Sequence, residues 1–99
     1  MSTSTATDTV TKTKIKPISM WRVVLHNDDY TPIDFVIEVL MQLFGKDQEQ
    51  AMLIANNIHH TGKGVAGVYT KEVAMQKAVD TTQIATKHGH PLLATSEES

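Results

Sequence analysis

The sequence predicts an α+β fold, read in the order β-α-α-β-α-β. Two observations carry that expectation. Short β-branched, apolar runs bounded by turn residues recur at 21–27, 65–70 and 92–95. Between them lie three longer segments whose apolar residues repeat at helical spacing, two of them back to back. Such an irregular alternation argues for helices gathered on one face of a small sheet.

The first strand is expected over Trp21 to Asn27. Trp21, Val23 and Leu25 alternate with Arg22, Val24 and His26, giving one apolar face and one mixed face. A polar turn follows, His26-Asn27-Asp28-Asp29-Tyr30. Thr31 then offers a side-chain cap, Pro32 suits the first helical position, and Asp34 puts negative charge in the first turn. Val36, Val39, Leu40 and Leu43 mark the buried stripe of this helix, which ends near Phe44 at Gly45.

Asp47 opens the second helix, with Gln50 three residues on in capping-box spacing. Ala51, Ile54, Ala55 and Ile58 form its inner face, and His59 continues that face at the C-terminal end. Gly62 and Gly64 stop it. Val65 to Thr70 reads as the second strand, and Gly67 inside it signals a bulge or a close backbone approach. Thr70 caps a third helix over about Lys71 to Lys87, whose buried side runs roughly through Val73, Ala78, Ile84 and Ala85. His88-Gly89-His90-Pro91 breaks it. A short strand over Leu92 to Thr95 and a frayed acidic end, 96–99, complete the chain. Residues 1–19 alternate six Thr with residues that supply no apolar face, and are expected to be a disordered arm ahead of a single domain over 20–99.

Composition narrows the function classes. The 99 residues make one domain with one modest core. A net charge of -2 lacks the basic field of a general nucleic-acid binder. There is no cysteine, hence no disulfide and no thiolate chemistry. No apolar run nears the roughly 20 residues that span a bilayer, and no signal-peptide core is present. A cytoplasmic location is expected, a plastid stroma less so. The five histidines lack zinc-site spacing, and no nucleophile motif occurs. Neither a metal, a cofactor nor an enzymatic activity is expected.

A binding module remains. Asn27, Asp28, Asp29 and a neutral His59 are all acceptors, and Ile33, Val36, Ala55 and Ile58 are apolar groups on the two helices that stand near them. Together they would suit a cation with an apolar neighbour. The same residues also fit plain turn formers, core aliphatics and a helix-end histidine.

At these residues the chain resembles the ClpS adaptors. The resemblance is carried by Val-Val-Leu-His-Asn-Asp-Asp-Tyr-Thr-Pro at 23–32 with Phe35-Val36 behind it, and by Ile-His-His-x-Gly-Lys around His59. Gly67-Val68-Tyr69-Thr70 leading into Glu72-Val73-Ala74, and His90-Pro91-Leu92, extend it over about residues 20–95. It implies a three-stranded antiparallel sheet packed against three helices, and a non-enzymatic adaptor. That adaptor binds N-degron peptides and proteins with N-terminal Leu, Phe, Tyr or Trp. It delivers them to an AAA+ unfoldase of the ClpA or ClpC type working with ClpP, and a monomer is expected. Carried over by position, Asn27, Asp29 and His59 would bind the α-amino group with Asp28 at the rim. Thr31, Ile33, Val36, Ala55, Ile58 and Leu92 would line the side-chain pocket, Glu72 and Lys77 would face the unfoldase, and the arm would serve in delivery. Family members commonly carry Met where this chain has Ile33 and Ala55. An alternative on the same fold is an interaction module that modulates the unfoldase without reading amino termini.

Overall fold

The computed structural model describes residues 18–99, so all but the last two residues of the expected arm lie outside the described residues. The element order is β1 (Trp21–His26), α1 (Ile33–Phe44), α2 (Gln48–Thr61), β2 (Lys63–Tyr69), α3 (Lys71–Lys87) and β3 (Leu93–Glu98). This is the β-α-α-β-α-β order read from the sequence.

The three strands form an antiparallel sheet in the order β2-β1-β3. β1 is central, and Val23 and Leu25 on it are wholly buried. They meet Ala66 of β2, Ala94 of β3 and the inner residues of all three helices in a single core. Val24 points to the other face of the sheet and lies outside that core, although its neighbours bury it. The register shifts between Val23 and Val24. Val23 pairs with Gly67 and Val24 with Val65, which leaves Ala66 as the extra, bulged residue. Tyr69 lies over Gly67, whose added Cβ would stand 2.5 Å from the Tyr69 hydroxyl oxygen. Both meanings of a glycine at this position hold here.

Helix ends follow local chemistry. Asp47 Oδ1 accepts from Gln50 N at 2.8 Å, and Gly45 and Gly62 close α1 and α2 in the left-handed region, at φ 66° and 97°. At the end of α3 the Gly89 N–H donates to Thr86 O and the His90 N–H to Ala85 O, a Schellman pair turned by Gly89 at φ 79°.

Four expectations are corrected. β2 begins at Lys63, two residues early, because Gly64 pairs with Leu25 and Lys63 with His26. β3 runs on to Glu98 rather than fraying at 96–99. Its acidic end pairs with β1, Arg22 Nε donates to Glu97 Oε2 at 2.7 Å, and Ser99 N donates to Met20 O. Val73 is exposed; the buried stripe of α3 is Ala74, Ala78, Thr81 and Ala85. Thr31 is not the cap of α1: Pro32 holds that position, without a side-chain bond, and helical residues start at Ile33.

Candidate peptide-binding site

Thr31 has a different partner. Its N–H donates to Asp28 Oδ1 at 2.7 Å, its hydroxyl donates to Asp28 Oδ2 at 2.7 Å, and the Tyr30 N–H adds a bond to Oδ1 at 2.8 Å. Asp28 therefore folds the turn around its own carboxylate, as Asx turns do. Partial burial pushes that carboxyl up. The bonds from Thr31 Oγ1, Thr31 N and Tyr30 N, together with the nearby His90 charge, outweigh it and hold Asp28 below the usual carboxylate range.

The turn is also fastened sideways. The Asn27 N–H donates to Gly62 O at 2.9 Å, which ties the end of β1 to the end of α2. His59 sits in the last turn of α2. One backbone bond thus joins the polar turn to the helix end that carries the histidine.

Between these elements lies a cavity of about 360 Å³. It is lined by Asn27, Asp28, Asp29 and Thr31 from the turn, Ile33 and Val36 from α1, and Ala55, Ile58 and His59 from α2. Val36, Ala55 and Ile58 are buried, whereas Asn27, Asp29 and His59 are exposed. The cavity therefore has apolar walls and a polar mouth. Among the described residues no hydrogen bond engages the side chains of Asn27, Asp29 or His59, all of which line the cavity. Ile33, 40% exposed, stands at the entrance. Gly64 fixes the Ile58 wall: a Cβ there would lie 2.8 Å from Ile58 Cγ1, so only glycine lets the β2 backbone press against it.

Nine of the expected site residues converge on this cavity. Three do not. Leu92 is buried just ahead of β3 and is not among the lining residues. Glu72 is exposed in the first turn of α3. Lys77 is half-buried, donates to Leu43 O at 2.7 Å, and places its ammonium 5.7 Å and 5.3 Å from the centres of the Phe44 and Tyr69 rings. The sequence reading missed Gly64, taken there as a helix stop, and missed that Asp28 organises the turn. The Asp-x-x-Thr spacing is the signal that could have shown the latter.

The arrangement can hold a cationic head against Asn27, Asp29 and His59 and an apolar group between the helices. Cavities of about 300–1,000 Å³ are the usual size for small ligands, and this one is near the lower bound, room for one large side chain. Among the described residues, no three His, Asp or Glu are grouped to hold a metal ion.

Comparison with known proteins agrees with this geometry. Residues 16–95 match the family model described as ATP-dependent Clp protease adaptor protein ClpS. The ATP-dependent Clp protease adapter protein ClpS of Deinococcus radiodurans is 48% identical over 91 residues, covering 92% of this chain and 80% of its own. That of Vibrio atlanticus is 46% identical over 87 residues, covering 88% and 82%. Among solved structures, Agrobacterium tumefaciens ClpS2 bound to L-phenylalaninamide superposes with a TM-score of 0.81 at 31% identity, covering 84% of this chain and all of that one. These relatives are adaptors, not enzymes. The chain belongs to the ClpS family of adaptor proteins for the ATP-dependent Clp protease.

Proposed function

We propose that this adaptor binds proteins through a free N-terminal Leu, Phe, Tyr or Trp and hands them to an AAA+ unfoldase of the ClpA or ClpC type for degradation by ClpP. The observation that carries the reading is the cavity itself: apolar between α1 and α2, with Asn27, Asp29 and His59 at its mouth. A relative of the same fold was solved with L-phenylalaninamide, a free amine beside an aromatic side chain.

The chemistry explains why an amino terminus would be selected. A peptide α-amino group has a pKa of about 7.7–8.0 and is mostly cationic at neutral pH, whereas an internal residue carries no such charge. Asp29 supplies the opposite charge, Asn27 Oδ1 an amide acceptor, and a neutral His59 an imidazole acceptor. Hydrogen bonds to a charged group contribute about 1.5–3 kcal/mol each. Burying a Leu or Phe side chain contributes about 1.5–3 kcal/mol more. After the cost of association, affinity in the micromolar range follows. A second contact with the unfoldase, through Glu72, Lys77 and the arm, would raise the effective concentration of the delivered substrate. The test is reconstituted degradation: a reporter beginning with Phe should be consumed by unfoldase and ClpP only when this adaptor is present. Equal consumption of a reporter beginning with Met would overturn the reading.

A further inference from the structure

Beyond the Asp28 turn lies a second, shallow groove, lined by Tyr30, Thr86, Gly89, His90 and Pro91. It is joined to the first cavity through the turn. Asp28 lines the cavity, Tyr30 lines the groove, and the Tyr30 N–H is bonded to Asp28 Oδ1 at 2.8 Å. His90 lines the groove as well. Both borders of the groove are pre-set. The Schellman turn at Gly89 fixes the His90 backbone, and the His90 ring packs edge-on against Phe35 of α1 at 4.6 Å. The Tyr30 backbone is held by Asp28, yet its side chain is 81% exposed, the most exposed of the large apolar and aromatic side chains described. An aromatic ring displayed on a fixed backbone at the rim of a binding cavity offers contact area at little entropic cost.

We propose that this groove takes the second residue of the peptide whose first residue fills the cavity, with Tyr30 and Pro91 favouring an aromatic or large apolar side chain there. The inference rests on the amino-terminus reading above. A peptide held by its ammonium at Asn27, Asp29 and His59 must leave the cavity across its mouth. On the α2 side the exit is flanked by the His59 and His60 rings, packed edge to face at 5.7 Å. On the turn side Asp28 of the cavity is bonded to Tyr30 of the groove, which makes the groove the adjoining surface.

The experiment measures binding of three ligands by calorimetry: L-phenylalaninamide, Phe-Gly-Ser-Lys and Phe-Trp-Ser-Lys, each with a free amine. Wild-type protein should bind Phe-Trp-Ser-Lys about 5-fold tighter than Phe-Gly-Ser-Lys. In Tyr30→Ser the two should agree within about 2-fold while L-phenylalaninamide binds as before. Equal affinity for the two peptides in wild type, or an advantage that survives in Tyr30→Ser, would overturn the inference. So would an equal loss for all three ligands, since Tyr30 would then act on the first cavity. Failure of L-phenylalaninamide to bind wild type would instead overturn the amino-terminus reading, and this inference with it.

Discussion

Asp28 and Thr31 are joined twice, Oδ1 to the Thr31 N–H and Oδ2 to the Thr31 hydroxyl, each at 2.7 Å. With the Tyr30 N–H as a third donor, the carboxylate that sits among the site residues is spent on the turn. Asn27 and Asp29 on either side line the cavity, with no side-chain hydrogen bond among the described residues. Asp28→Ala should therefore cost about 1–2 kcal/mol of folding stability, as loss of a capping carboxylate does. Asn27→Ala, Asp29→Ala and His59→Ala should each stay within about 0.5 kcal/mol of wild type while weakening ligand binding. Urea denaturation alongside calorimetry separates the two behaviours; an undiminished stability of Asp28→Ala would contradict the assignment.

The same carboxylate sets an acid limit. Its pKa is held down in the folded protein, so its contribution is fully present above the ordinary carboxylate value of about 4. That contribution is lost as pH falls through the lower folded value. The stability gap between wild type and Asp28→Asn should be constant between about pH 5 and 7 and shrink below about pH 4. Urea midpoints from pH 3 to 7 test this, and a gap that widens in acid would contradict it.

Ala55 and Ile33 line the cavity, and on the proposed function they would set which side chain enters it. Ala55 is buried on the α2 wall, where a larger residue would occupy cavity volume, and β-branched Ile33 stiffens the entrance. Peptides starting with Phe, Tyr or Trp should bind at least as tightly as the Leu peptide. Ala55→Met should weaken the aromatic peptides about tenfold, roughly 1.4 kcal/mol, with a smaller effect on Leu. Fluorescence anisotropy with peptides differing only at residue one measures both. A wild-type protein that binds Leu much more tightly than the aromatics would contradict the role given to these two positions.

Lys77 is a structural residue whatever else it touches. Its ammonium meets Leu43 O near the C-terminal end of α1, where a cation is favoured, and lies over Phe44 and Tyr69. Lys77→Ala should lower stability by about 1–2 kcal/mol, shifting Tm by about 4–8 °C for each kcal/mol in a domain of this size. Glu72→Ala should leave Tm unchanged. If both variants impair delivery, only the Glu72 result is free of a folding defect; equal Tm values would contradict the packing role of Lys77.

How far the sequence spoke depended on whether the deciding interaction was local. Asp47 with Gln50, Gly45, Gly62 and the Gly89-His90 turn act over a few residues, and each bounded a helix where its chemistry said it should. The α1 stripe was legible because Val36, Val39 and Leu40 are large. The α3 stripe was not, because small residues, Ala74, Ala78 and Ala85, carry it, and Val73 drew the eye to the wrong face. The end of β3 depended on Arg22, 75 residues away from Glu97, and the start of β2 on Leu25. The site was legible as a set of residue types around 27–31 and 59. Which of those groups are spent on the turn was not, since Thr31-Pro32 looks like a helix cap until Asp28 is seen to hold Thr31.

The central claim is that Asn27, Asp29 and His59 read a free ammonium. The direct measurement is calorimetric binding of one peptide beginning with Phe, with its α-amine free and with the amine acetylated. The free peptide should bind in the micromolar range, and acetylation should weaken it by at least about 100-fold, because the charge goes and the carboxylate loses its partner. Equal affinity for both forms would contradict the claim and leave a protein-interaction module on a ClpS fold.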